Sequence, residues 1–423
     1  MAASHKGSQK ASRKASRKLR LLATGAAAGL LLGIAGCDSA HPAAAGSPGA
    51  STPARSASPV SVPPPTPAGP TAPTPTVPSP AGGPVPARFA ATSVTFVSAD
   101  EAFVLGTAPC AVAPCTAIVR TLNRGQSWRG LPAPLQPVGE PALNPPAVWG
   151  IRFATPEHGF VFGDGLWEST DGGERWIRDA APAGGSVLSL AIVAGQVLAL
   201  TDRCTQAAGC DRAGLLVRRA LTGGSWRPVA KVSVGNLGDP DDLIATQAGV
   251  AAIVTGRDVL VTADGGVTST VHQVPCPPPS GGPSVAVTSA TGLALLCLGE
   301  GYTGHTTKQV YLSDDDGAHW TLAGAPSPDG DGGTIAATTT GDLAIATESA
   351  ASWLFYSPSA GTSWRITATE PDGGMGWADL GFTTATDGVV VRGPADSDGN
   401  STQRPGQLYL TSDAGATWYQ VSF

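Results

Sequence analysis

The chain has 423 residues, with 26 Lys/Arg, 32 Asp/Glu and a formal charge of −6. Seven of the basic residues lie in the first 20 positions with no acid among them, so the remainder holds 19 bases against 32 acids, a balance of −13. That excludes nucleic acid as the main partner, because phosphate binding needs clustered Lys and Arg.

Taken in chain order, the first element is an address. Lys6, Lys10, Arg13, Lys14, Arg17, Lys18 and Arg20 precede an apolar run, Leu21–Ala35. That run is shorter than the ~20 residues a membrane span needs. A basic stretch followed by a short apolar one reads as a secretory signal, residues 1–36. It ends in Ile34-Ala35-Gly36-Cys37, which resembles a bacterial lipobox. The resemblance implies that Cys37 becomes the acylated first residue of the mature protein. The protein is then lipid-anchored on the outer face of the cell membrane of a Gram-positive bacterium. Residues 37–87 are almost entirely Pro, Ala, Ser, Thr, Gly and Val. Such a segment cannot bury a core and is expected to be a disordered tether. At about 3.1 Å per residue it reaches roughly 150 Å.

From residue 88 to 423 a pattern recurs, Ser/Thr-x-Asp-x-Gly-x-x-Trp. Three copies are full: Ser169, Asp171, Gly173, Trp176; Ser313, Asp315, Gly317, Trp320; and Thr411, Asp413, Gly415, Trp418. Weaker copies end at Trp128, Trp226, Ser269 and Trp364, and successive copies are 43 to 54 residues apart. A repeat of that length means an array of similar units. Each copy reads as a tight turn whose hydroxyl and carboxylate bond backbone groups and whose Gly supplies a positive φ. The Trp is expected to begin the next strand. Strands flank every turn, for example Gln309–Leu312 and Gln407–Leu410 before it and Trp364–Thr367 after it. Each unit has two further strands: Val148–Phe153 with Gly159–Gly163, Ser284–Thr288 with Leu293–Leu298, and Trp377–Phe382 with Val389–Arg392. Four short strands in each of seven units predict an all-β fold, a seven-bladed β-propeller of antiparallel blades over residues 88–423.

The phrase from Ile151 through Gly163, followed by Leu166-Trp167-Glu168-Ser169-Thr170-Asp171-Gly172-Gly173, resembles the unit of the bacterial-neuraminidase or Asp-box repeat propellers. The likeness is nearest to single-propeller members related to the photosystem II stability/assembly factor, and it extends to the sialidase-like superfamily. In that group the box is a structural turn, which implies no chemistry for its residues.

Outside Cys37, six cysteines remain in an exported chain, and disulfides are the default. The blade map favours Cys110–Cys115, Cys204–Cys210 and Cys276–Cys297. All three fall on the face carrying the loops that leave the second and fourth strands of each blade. The long loops of that face are where binding residues concentrate on a rigid scaffold. Candidates there are Asp239, Asp241 and Asp242; Glu300, Tyr302 and His305; Asp329 and Asp331; Glu370, Asp372 and Trp377; and Arg203, Arg212, Arg257, Arg392 and Arg404. The 396–400 stretch opens like a calcium loop, but its twelfth position is Gln407, not the acid such a loop needs. No metal, cofactor or catalytic set is assigned.

The reading is a non-catalytic surface lipoprotein. Its propeller binds an envelope protein or a surface glycan and assists assembly of a membrane complex. The alternative is a sialidase-like glycoside hydrolase acting on extracellular glycans. For that alternative, Tyr302 near Glu300 is the one loop tyrosine, and an acid pair must lie among the loop carboxylates.

Overall fold

The computed structural model describes residues 82–110, 115–139, 146–180, 182, 185–205, 209–210, 213–233, 244–277, 282–348, 352–370, 376–393 and 406–423. These form seven four-stranded antiparallel sheets and one two-stranded ladder. Blade 1 is β1 (Ala90–Phe96), β2 (Ala102–Ala108), β3 (Cys115–Thr121) and β4 (Arg129–Leu131). Blade 2 is β5 (Val148–Phe153), β6 (Gly159–Gly163), β7 (Leu166–Ser169) and β8 (Ile177–Asp179). Blade 3 is β9 (Ser186–Val193), β10 (Gln196–Asp202), β13 (Ala213–Ala220) and β14 (Arg227–Ser233), with the ladder β11 (Cys204–Thr205) and β12 (Gly209–Cys210) inserted in its middle loop. Blade 4 is β15 (Ala245–Gln247), β16 (Val250–Thr255), β17 (Asp258–Thr262) and β18 (Thr270–Gln273). Blade 5 is β19 (Ser284–Val287), β20 (Leu293–Tyr302), β21 (His305–Ser313) and β22 (Thr321–Gly324). Blade 6 is β23 (Asp331–Ala337), β24 (Leu343–Glu348), β25 (Ser352–Ser357) and β26 (Arg365–Glu370). Blade 7 is β27 (Trp377–Phe382), β28 (Gly388–Arg392), β29 (Gln407–Thr411) and β30 (Tyr419–Gln420).

The first strands of the blades touch in sequence, β1 to β5, β9, β15, β19, β23, β27 and back to β1, so the ring is closed. Its core is a set of layers between blades. Successive side chains of a strand point to opposite sheet faces, and here both faces are buried. On β2, Phe103 and Leu105 pack toward blade 2 while Val104 packs toward blade 7. On β20, Leu293, Leu295 and Cys297 pack toward blade 4 while Ala294, Leu296 and Leu298 pack toward blade 6. Burial on two faces is why these strands read as continuous apolar runs rather than as alternating ones.

The turns between third and fourth strands are built by the repeat. Ser169, Ser313, Thr411 and Thr262 each donate their hydroxyl to the Asp two residues on, at 2.8–2.9 Å. The same oxygens accept the N–H of Gly173, Gly317, Gly415 and Gly266 at 2.8–2.9 Å. These glycines sit at φ +82 to +94, a region that side chains with a Cβ resist. The copies lacking the acid keep the geometry with other oxygens. Ser127 N–H donates to Asn123 Oδ1 at 2.9 Å, and Ser363 N–H donates to Ser359 Oγ at 3.1 Å. The tryptophans stand one residue before the fourth strand rather than inside it, and each is half-buried. Trp176 Nε1 donates to Pro132 O at 3.0 Å and Trp226 Nε1 to Ala180 O at 3.3 Å, tying each blade to the one before.

Blades 1 and 7 are each contiguous in sequence, so no strand is exchanged between the chain ends inside a sheet. Closure rests on side chains and single bonds. Phe423 packs on Phe89 and Trp128 at 4.8 and 5.0 Å between ring centroids. Ala91 N–H donates to Gly406 O at 3.0 Å. Arg124 pairs with Asp387 at 3.2 Å. Ahead of β1, Gly83 and Gly130 exchange N–H···O bonds of 3.0 Å, which lays residue 83 along β4. Glycine at 130 suits this close approach, since a Cβ there would lie 2.6 Å from Pro84 O. The signal segment, Cys37 and the tether up to residue 81 lie outside the described residues.

Candidate functional site

The antiparallel order puts the Asp-box turns and the first-to-second strand turns on one side of the ring. The loops leaving the second and fourth strands lie on the other, the loop face. Of the nominated residues, Arg203, Arg257, Glu300 and Tyr302 are exposed there. Arg392 is placed differently from expectation. It is only 1% exposed, at the end of β28, with Nε 3.9 Å from Glu370 Oε2 of blade 6. Its position between Trp377 and Gln407 in the sheet puts it in the wall between blades 6 and 7, away from solvent. Asp239, Asp241, Asp242, Arg212, Asp372, Arg404 and the 396–400 loop lie outside the described residues. Trp377 is buried and packs edge-on against Tyr409 at 5.4 Å, as blade packing.

Two disulfides are formed as expected, Cys110–Cys115 and Cys276–Cys297. The second ties the segment after blade 4 to β20 of blade 5. Cys204 stands directly opposite Cys210 in the β11–β12 ladder, and their side chains lie outside the described residues.

Blade 5 is built differently from its neighbours. Its middle hairpin, expected to stop at Leu298, runs on to Tyr302 and resumes at His305, past a bulge between Leu298 and Gly301. At its tip the Tyr302 ring is 59% exposed and stacks on His305, centroids 5.2 Å apart and 29° between planes. The tip is fastened to the crossover from blade 5 to blade 6. Thr306 N–H is shared between Pro328 O and Gly330 O at 3.0 and 3.1 Å, and Gly330 N–H returns to Gly304 O at 3.2 Å. Thr306 Oγ1 donates to Asp331 Oδ1 at 3.1 Å, and His305 Nδ1 lies 3.4 Å from Asp329 Oδ1.

Beneath the tip is Lys308, 2% exposed. Its ammonium donates to four backbone carbonyls: Thr306 O at 2.9, Pro328 O at 3.1, Asp329 O at 3.1 and Gly330 O at 2.8 Å. Burial pushes its pKa down from 10.5 to about 8, with Asp331 and Asp329 pulling the other way. Lys308 is one of only two lysines after residue 20, and no sequence motif contains it. A lone lysine opening the apolar strand Lys308-Gln309-Val310-Tyr311-Leu312 was the available signal.

A second feature missed by sequence reasoning lies in the central channel. The channel holds an open cavity of about 240 Å³ walled by residues such as Val94, Thr95, Thr246, Gln247, Val287 and Asp379. Arg152 of blade 2 reaches past blade 1 to Asp379 of blade 7, Nη2 to Oδ1 2.5 Å. Asp379 also accepts Val94 N–H at 2.7 Å and sits at φ +51. One carboxylate thus joins blades 1, 2 and 7 at the ring's seam. Among the described residues no group of three or more His, Cys, Asp and Glu is placed to hold a metal ion, and no helix is long and apolar enough to cross a membrane.

The fold and its turns make this chain a seven-bladed β-propeller with Asp-box repeats. Among solved structures it is similar to YCF48 bound to D1 peptide, at 14% identity and a TM-score of 0.48, covering 79% of this chain and 93% of that one. It is similar to YCF48 from Cyanidioschyzon merolae at 15% identity and a TM-score of 0.42, covering 66% and 87%. An ancestral GH74 enzyme matches at 13% identity and a TM-score of 0.46, covering 79% of this chain and 44% of that one. No protein-family model and no curated protein matches the sequence.

Proposed function

We propose that the chain is an exported bacterial lipoprotein, anchored through Cys37 on the outer face of the membrane. Its loop face holds a segment of another envelope protein, without catalysis, and so assists assembly of a membrane complex. The observation that most supports this is the blade 5 tip. It is an exposed Tyr302 ring stacked on the half-buried His305 at the end of a hairpin that is bonded to the next blade. An ordered exposed aromatic gives contact area at little cost in side-chain entropy, as binding anchors do. Hydrolysis of a glycosidic bond needs instead a sugar enclosed between two carboxylates about 5–9.5 Å apart.

The test places a photo-reactive cross-linking residue at Tyr302 in the intact exported chain. The control places it at His319, whose side chain is 89% exposed on the opposite face. Illumination on source-cell membranes is expected to give one reproducible protein adduct from 302 and none from 319. Polysaccharide adducts alone would turn the reading to a lectin. Equal labelling from both faces, or turnover of a glycan by the purified chain, would overturn it.

A further inference from the structure

The Lys308 cage has a use beyond filling space. A protonated lysine has three N–H groups and no acceptor, and here it meets four carbonyl oxygens within 3.1 Å. This is the ligand set of a bound monovalent cation, with the cation supplied on a side chain. Three of the four carbonyls, those of Pro328, Asp329 and Gly330, belong to the crossover, while the lysine belongs to β21. We propose that Lys308 is a positioning residue: its ammonium acts as a tethered cation that clamps the blade 5 hairpin to the blade 5–6 crossover, and so holds the Tyr302–His305 tip in its binding posture. The clamp stands on the geometry alone; its effect on partner capture rests on the binding reading above.

The crossover has other fastenings besides the ammonium. Thr306 supplies one N–H and one hydroxyl, Gly330 N–H reaches Gly304 O, His305 lies beside Asp329, and Thr347 Oγ1 reaches Asp329 O at 3.4 Å. Without the ammonium, Pro328 O and Gly330 O keep only the shared Thr306 N–H and Asp329 O only the Thr347 hydroxyl at 3.4 Å, and the charge-assisted bonds from β21 to the crossover are lost. The charged groups facing Lys308 are Asp329 and Asp331 from the crossover and the start of β23, with His305 on its own strand. Glu300, on the partner strand β20, is exposed, and β22 carries no charged residue.

The experiment is amide hydrogen exchange on the intact exported chain, corrected for intrinsic rates, comparing wild type with Lys308→Met, Lys308→Arg and Lys308→Ala. Lys308→Met is expected to lower protection at least tenfold in residues 301–307 and 327–331 and to leave the Asp-box turns of blades 1, 2 and 7 unchanged. Millimolar propylammonium is expected to restore protection to Lys308→Ala but not to Lys308→Met, whose side chain fills the cage. Should Lys308→Met fail to fold, Lys308→Gln, with two N–H donors and no charge, takes its place. Unchanged protection in the Met or Gln variant would overturn the clamp. Loosened exchange with undiminished cross-linking from position 302 would uphold the clamp and overturn its role in holding the tip for binding.

Discussion

Asp379→Ala should be the most damaging single change at the ring's seam. The carboxylate accepts Val94 N–H at 2.7 Å and Arg152 Nη2 at 2.5 Å, and its side chain is 3% exposed. Leaving a buried amide without its acceptor costs about 1–3 kcal/mol. Stranding a fully buried charge costs about 3–5 kcal/mol. Arg152 is 19% exposed to the channel and keeps Ser93 Oγ, Val94 O and Ile151 O, so about 1–2 kcal/mol is the appropriate share. Alanine at φ +51 adds about 1 kcal/mol of strain that Asp tolerates better. The expected total is about 3–6 kcal/mol. Asp379→Asn keeps an acceptor oxygen and the tolerance for that φ, and should cost about 1–2 kcal/mol. Urea unfolding followed by the fluorescence of the chain's ten tryptophans measures both, and an Arg152→Met/Asp379→Asn cycle should give a coupling above about 1 kcal/mol. A cost below about 1 kcal/mol for Asp379→Ala, or no difference between Ala and Asn, would refute the assignment of closure to this carboxylate.

Three further expectations are open to the same unfolding assay. Removing Cys276–Cys297, sequence separation 21, should cost more than removing Cys110–Cys115, separation 5; loop-closure entropy gives about 3.4 against about 2.2 kcal/mol, and the reverse order would contradict it. Phe423→Ala should cost about 1–2 kcal/mol through its contacts with Phe89 and Trp128 and should make the chain ends the first site of proteolytic nicking; nicking that starts elsewhere would place the seam's weakness wrongly. Bonds from the Thr268 hydroxyl and N–H hold Asp264 at about 2, below its ordinary 3.8. A depressed carboxylate contributes stability that is full above its unfolded value and lost as pH falls through the folded one. Unfolding between pH 5 and 2 should therefore steepen below pH 4, and Asp264→Asn should flatten that limb.

Much of the propeller was legible in the sequence because its signals are local. β5, β6 and β27 fall where the apolar runs and their turn residues put them, Val148–Phe153, Gly159–Gly163 and Trp377–Phe382. The box turns close within four residues, hydroxyl to glycine N–H, so the motif alone encodes them. The extension of β20 and β21 was not legible. Gly299-Glu300-Gly301 reads as a loop, and what carries it as strand is a crossover some 25 residues on. Arg392 shows the same limit: its charge suggested a surface, and its burial depends on Glu370 of a different blade.

The sequence by itself determined the repeat, the number of blades, the turns and the cysteine pairs that the described residues contain, since each depends on spacing along the chain. Only the tertiary structure decided what the rare charged side chains do. Lys308, Arg152 and Asp379 have their partners 20, 227 and 285 residues away. A buried charge is tolerated only where folding brings its partners to it, and no pattern of neighbours along the chain records that meeting.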